Sequence, residues 1–283
     1  MTKQPIKVIC VATKSSGYYD ILKESCMKNN YELITLGWGK KWQGFIWRHK
    51  LYYEYLKTLN PNEIIIISDA YDVVCLRPSQ DLIKEFKSYN TKILFGDQTG
   101  ISTRVSFNSL KNIRCCGSII GYSKYILKLE MWMVNSNLKK LYNNDDQMIL
   151  NNISNNHPYF FDNYTKIDIL QKIFYITSSD IFFNPLYYIN NDIGLKVNKG
   201  TTGTEIVIKN NEKIKPCILH GASAINLEGI LQPLGYKAIE GNKINYVFKF
   251  GQMGNILSYL IKINIFYQIL IILGIIYFFK YWL

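Results

Sequence analysis

The chain has 283 residues, 48% of them hydrophobic, and a formal net charge of +12 from 33 Lys and Arg against 21 Asp and Glu. That is enough apolar material to bury a real core, so the chain reads as a globular protein with an addition at its C-terminus. The lysines are spread rather than run together, which sets nucleic acid aside and leaves an anionic membrane surface or a phosphate-bearing ligand as the partner of the charge. Six cysteines without CxxC or paired spacing argue against a metal cluster and a disulfide scaffold, and reduced thiols suit a cytosolic face.

In chain order, "KVICVAT" from Lys7 to Thr13 predicts a buried strand, and Tyr18, Ile21, Leu22 and Cys26 recur at helical spacing after it. "YELITL" from Tyr31 to Leu36 predicts a second strand, "GWGKKWQGF" a glycine-rich loop, and Trp47 to Leu59 a helix ended by "NPNE". The isoleucines Ile64 to Ile67 predict a third strand, and "RPSQDLIKEFKSY" a helix with Ser79 as its N-cap. "KILFGD" from Lys92 to Asp97 follows as the next strand. Strand and helix alternating at this pitch predict an α/β fold with a mostly parallel central sheet flanked by helices, and the continuous isoleucines belong at its centre. Beyond Leu150 the pattern loosens into a β-rich, glycine-punctuated excursion that leads to "CILHGAS".

The last segment differs in kind. "INIFYQILIILGIIYFF", Ile263 to Phe279, has 17 residues interrupted only by Asn264 and Gln268 and lies between Lys262 and Lys280. It is at the short end of what spans a bilayer, and "ILSYLIK" before it lengthens the span. A buried core helix is the alternative, but a helix apolar all round at the end of a chain has little protein left to cover it. The expected organisation is a main α/β domain over residues 1–250 and a transmembrane helix over residues 256–283 as a single-pass C-terminal anchor. The start "MTKQPIKVICVATKSS" shows no apolar h-region, which places the main domain on the cytosolic side.

In open α/β sheets ligands bind beyond the carboxyl ends of the strands, which is where Asp69 and Asp72 fall after the isoleucines. Two carboxylates crowded there repel each other and lose hydration, so a hard divalent cation that also bridges phosphate oxygens would compensate them. A strand-end aspartate can equally serve as a turn or helix cap. "NNDDQ" sets Asp145 and Asp146 before a helix-like "MIL", either as capping groups or as acceptor-binding or base carboxylates. His220, at the end of "CILH", is either a structural histidine or a nitrogen ligand that completes the aspartate pair and favours Mn²⁺ over Ca²⁺.

The ordered series "VICVAT", "LGWGKKWQG", "IIIISDAYDVV", "KILFGDQ", "GSIIGY", "NNDDQ" and "CILHGAS" resembles the glycosyltransferase domain of procollagen lysyl hydroxylases (PLOD type) and related collagen glycosyltransferases, over roughly residues 7 to 235. The resemblance implies a GT-A type nucleotide-sugar-binding fold and transfer of a hexose, glucose or galactose, from a UDP-sugar to a hydroxyl acceptor on a protein or glycan. Hydroxylysine of a collagen-like protein is the acceptor it suggests. It implies Mn²⁺ or Mg²⁺ on Asp69, Asp72 and His220, with Tyr71 near the uracil and Val11 and Thr13 on the nucleotide. Trp42, Lys50 and Gly221 would lie on the donor side, Gln147 and Gly117 on the substrate side, and Asp145 and Asp146 near sugar and acceptor. Departures from the family pattern fall at Cys115 and Cys116, where asparagine and serine are usual, and at Ala222, Ser223 and Asn226 after the histidine. These departures also admit a second reading, a membrane-anchored, catalytically weak nucleotide- or glycan-binding protein.

Overall fold

The computed structural model describes residues 5–98, 113–137, 145–177, 196–200, 203–207, 213–222 and 227–237. The expected anchor over residues 256–283, and with it Ser223 and Asn226, lies outside the described residues. Among the described residues no helix is long and apolar enough to cross a membrane.

The first half runs β1 (Ile6–Val11), α1 (Tyr19–Lys28), β2 (Tyr31–Leu36), α2 (Phe45–Leu56), β3 (Ile64–Ser68), β4 (Val73–Cys75), α3 (Ser79–Ser88) and β5 (Ile93–Asp97). The rest runs β6 (Arg114–Tyr122), α4 (Ser123–Asn135), α5 (Asp146–Asn156), α6 (Pro158–Tyr164), β7 (Thr165–Asp168), β8 (Phe174–Ile176), β9 (Lys196–Gly200), β10 (Gly203–Val207), β11 (Lys213–Ile214), β12 (Ile218–His220) and α7 (Glu228–Leu231). The main sheet has the order β2-β1-β3-β6-β5-β7. Its neighbours pair in parallel except where β6 meets β3 and β5, so five strands share one direction and β6 runs against them. The sheet is therefore mixed: five strands run in the one direction expected of them, and the reversed β6 makes two central pairings antiparallel.

The isoleucine run is central, as expected, and its side chains divide between two cores because successive residues of a strand face opposite ways. Ile66 packs with Leu22, Leu82 and Phe86 under α1 and α3. Ile65 and Ile67 pack on the other face with Tyr52, Leu56, Leu129 and Met133 of α2 and α4. All three are essentially unexposed, and each such burial stabilises by about 1.5–3 kcal/mol.

Two helix starts differ from the sequence reading. Ser79 is the first helical residue and not the cap, since Pro78 occupies the cap position and the Ser79 N–H donates to the Asn29 carbonyl. Helix α2 begins at Phe45, two residues early, directly after Gly44 in a left-handed conformation.

The chain leaves the main sheet after β3. Residues 69–72 turn, and β4 joins a small second sheet of order β4-β12-β8, antiparallel to β12, which lies parallel to β8. The excursion read from the sequence forms a third, antiparallel sheet, β11-β10-β9. All six cysteines are buried and free.

Candidate functional site

Three strands converge at the carboxyl end of β3. In the β4–β12 ladder His220 sits opposite Val73, one residue from Asp72, and the Gly221 N–H donates to the Asp72 carbonyl at 2.7 Å. In the β3–β6 ladder Ser68 faces Ser118, and the Asp69 N–H donates to the Gly117 carbonyl at 3.2 Å. Ladder register alone therefore assembles a cluster whose members are distant in the chain.

Asp69, Asp72 and His220 each offer one ligand atom, and these atoms lie within 4.8 Å of one another. His220 Nε2 is 3.3 Å from Asp69 Oδ2 and 3.5 Å from Asp72 Oδ1. On the other side of the ring, Nδ1 lies 2.9 Å from Ser118 Oγ and 3.7 Å from Cys115 Sγ. Asp72 Oδ1 and His220 Nε2 are buried with no hydrogen-bond partner. A buried polar atom without a hydrogen bond carries a desolvation penalty, and these two atoms, in ion-pair range of each other and facing the Asp69 carboxylate, suit a divalent cation held between them. The donor set of two carboxylates and one imidazole suits a divalent cation. Backing of the ring by Ser118 is the arrangement that orients metal-ligating histidines.

Gly117 is the third wall of this cluster. A Cβ there would stand 2.2 Å from Asp69 Oδ2, 2.5 Å from its Cγ and 2.9 Å from His220 Cε1, so only glycine lets β6 pass behind these two side chains.

Charge inside the site is sharply divided. Burial would raise Asp69, but the Arg48 guanidinium and the His220 imidazole hold its carboxyl well below the usual range. Burial, with the charge of Asp69 beside it, pushes Asp72 up in spite of His220. Asp146 resists the effect of its own burial and stays low because Arg48 and His49 flank it. Arg48 pairs through Nη1 with Asp69 and through Nη2 with Asp146. His49 Nε2 lies 3.2 Å from Asp146 Oδ2, and His49 Nδ1 lies 2.6 Å from Glu130 Oε2. Arg48, His49 and Glu130 were not picked out from the sequence. The available signal was two ionisable residues on the face of α2 that also carries buried Tyr52 and Leu56, a costly placement unless both are paired.

The other sequence-predicted residues lie on or beside β1, β3, α2 and α5. The Tyr71 hydroxyl accepts from the Thr13 N–H at 3.1 Å, and the Tyr71 carbonyl accepts from the Tyr18 N–H at 2.8 Å, which brings the end of β1 against the aspartate turn. The Val11 side chain is buried in the core. Trp42 is exposed and packs edge-on to Phe45 and Trp47, and the Phe45 ring lies 5.2 Å from the Arg48 guanidinium. Lys50 is exposed and sits about 200° around the helix from Arg48. Asp145 is the N-cap of α5, accepting from the Met148 N–H at 3.1 Å through Oδ1, so the capping role is realised. The Gln147 amide accepts from the Cys116 N–H at 3.0 Å and donates to the Arg114 carbonyl, pinning α5 to β6.

A family model described as the PLOD GT domain matches residues 2–235. Among solved structures, the chain is similar to a crystal structure of a glycosyltransferase involved in the glycosylation of the major capsid of PBCV-1, at 11% identity and a TM-score of 0.41, covering 77% of this chain and 93% of that one. It is also similar to the protein A197 from STIV, at 12% identity and a TM-score of 0.32, covering 44% of this chain and 67% of that one. No curated protein matches the chain.

Proposed function

From the premise that the chain belongs to the PLOD GT domain family, a glycosyltransferase-type domain, we propose that it is a metal-dependent hexosyltransferase of GT-A organisation. It moves glucose or galactose from a UDP-sugar to a hydroxyl group on a protein or glycan, with hydroxylysine of a collagen-like protein as the acceptor class. The observation that carries this reading is the cluster of Asp69, Asp72 and His220 with two buried orphan atoms between its members.

Asp69 Oδ2, Asp72 Oδ1 and His220 Nε2 are the atoms that would hold Mn²⁺ or Mg²⁺. The bound ion would supply charge neutralisation to the departing diphosphate. The chain's own residues do the rest. Tyr71, fixed through its hydroxyl to Thr13, offers a half-buried ring for the uracil. Asp146, held ionised between Arg48 and His49, orients the start of α5 on the acceptor side and is a poor base. The Ile263–Phe279 segment anchors the enzyme in a membrane with the catalytic domain on the cytosolic side.

The commitment of both Asp145 and Asp146 to structural partners favours one competing reading, a catalytically weak nucleotide- or glycan-binding protein. The two part company in one assay: the full chain in detergent, a panel of UDP-sugars, Mn²⁺, and UDP release with and without hydroxyl acceptors. Release by the wild type that disappears in Asp69→Ala/Asp72→Ala is expected. No release with any donor favours the binding protein, and release undiminished in the double variant removes the cation assignment.

A further inference from the structure

We propose that Arg48 is a positioning residue of the site, a guanidinium that ties the cation-side carboxylate of Asp69 to Asp146 at the start of α5 and leaves Asp69 only Oδ2 for a cation. This rests on the cation reading of the Asp69, Asp72 and His220 cluster.

The geometry is specific. The two terminal nitrogens of Arg48 go to two different carboxylates, Oδ1 of Asp69 and Oδ2 of Asp146, which stand on elements far apart in the chain. The other oxygen of Asp69 is the one that faces His220 Nε2. The next residue on α2, His49, holds the same Oδ2 of Asp146 from its own side, and Tyr52, one turn on, donates to the carbonyl of Ser68, the residue before Asp69. One face of α2 thus fixes both carboxylates and the strand end that carries the first. The Phe45 ring lies 5.2 Å from the guanidinium carbon. Arg48 Nε is buried without a partner, so the guanidinium is turned by its two carboxylates at the expense of its own Nε–H. A planar fork can span two acceptors in this way, whereas a lysine ammonium is a single point of charge. Partners that hold the non-ligating side of a ligand set its direction, and their loss typically weakens metal binding about 10–100-fold.

The test uses the full chain in detergent and Mn²⁺ alone, with free Mn²⁺ followed by electron paramagnetic resonance. Arg48→Lys keeps the charge, so electrostatics alone predict unchanged affinity; the bridge predicts a loss of about 10–100-fold. Asp146→Asn leaves Arg48 in place, keeps one oxygen for it to bond and removes the charge that Arg48 and His49 share, and it weakens binding in the same direction by less. Affinity within about threefold of the wild type in both variants overturns the proposal. Should the wild type itself fail to bind Mn²⁺, the cation reading falls and takes the Asp69 Oδ2 claim with it. The bridge is then read separately by a double-mutant cycle of urea denaturation over Arg48→Lys and Asp146→Asn, where non-additive changes support it and additive ones overturn it.

Discussion

Replacing Gly117 with alanine adds one methyl group at the point where β6 runs behind the proposed ligands. The new Cβ would meet Asp69 Oδ2 at 2.2 Å and His220 Cε1 at 2.9 Å, while ordinary contact begins at 3.4 Å. The carboxylate must therefore retreat by roughly 1 Å, and little around it can yield, since overpacked interiors relax only with strain. Its other oxygen is held by Arg48, its own N–H by the Gly117 carbonyl, and the His220 ring by Ser118. A 1 Å displacement of a positioned group costs about 100-fold in rate, and the strain costs about 1–3 kcal/mol in stability. We expect Gly117→Ala to fold, to lower the urea midpoint modestly, and to weaken Mn²⁺ binding and UDP release by about 100-fold. Mn²⁺ affinity and UDP release both within about threefold of the wild type would refute the account of Gly117 as the wall of a cation site.

Two further outcomes follow from the buried charges. Burial would lower His49, but Glu130 and Asp146 raise it from 6.5 to about 9, so the folded state keeps a proton that the unfolded chain releases near 6.5. Its contribution to stability, about 3 kcal/mol, is complete below pH 6.5 and is lost as pH rises to 9. Urea denaturation across that window should show the wild type falling more steeply than His49→Gln, and parallel profiles would sink this assignment. Asp168 accepts from the N–H groups of Lys172, Ile173 and Phe174 and from the Tyr89 hydroxyl, so Asp168→Ala leaves four donors without their acceptor and should cost about 3 kcal/mol or more in the same assay. A loss under about 1 kcal/mol would show that water replaces the carboxylate there.

Much of the fold is legible in local pattern. Tyr31 to Leu36 is a strand with the bounds read from the sequence, and the isoleucine run is the centre of the sheet. What local pattern does not contain is strand direction: nothing in "RCCGSIIGY" says that β6 runs against its neighbours, because direction is decided by the connections around it. The start of α5 is legible in "NNDDQMIL", but its length and all of α6 are not, since the segment from Asn143 to Asn163 is rich in asparagine, a poor helix former, and is held by Ile149, Leu150, Ile153, Phe160 and Phe161 against the sheet. At the site, the strand-end aspartates and His220 were readable because carboxylates and imidazole at strand ends have a chemical reason to be there. Arg48 and His49 were not, because their meaning lies in partners, Asp69, Asp146 and Glu130, that only the folded chain brings near.

The pairing of β4 with β12 has a thermodynamic consequence. Asp72 and His220 are about 150 residues apart in the chain, and bringing such distant groups together carries a loop-closure entropy that rises only slowly with length. A cation that binds only the closed arrangement adds its binding free energy to that closure, about 2.7 kcal/mol when present at 100 times its dissociation constant. Mn²⁺ would then act as a clasp on the late strands, and amide exchange in β8 and β12 should slow when it is added while exchange in β1 and β2 is left nearly as it was.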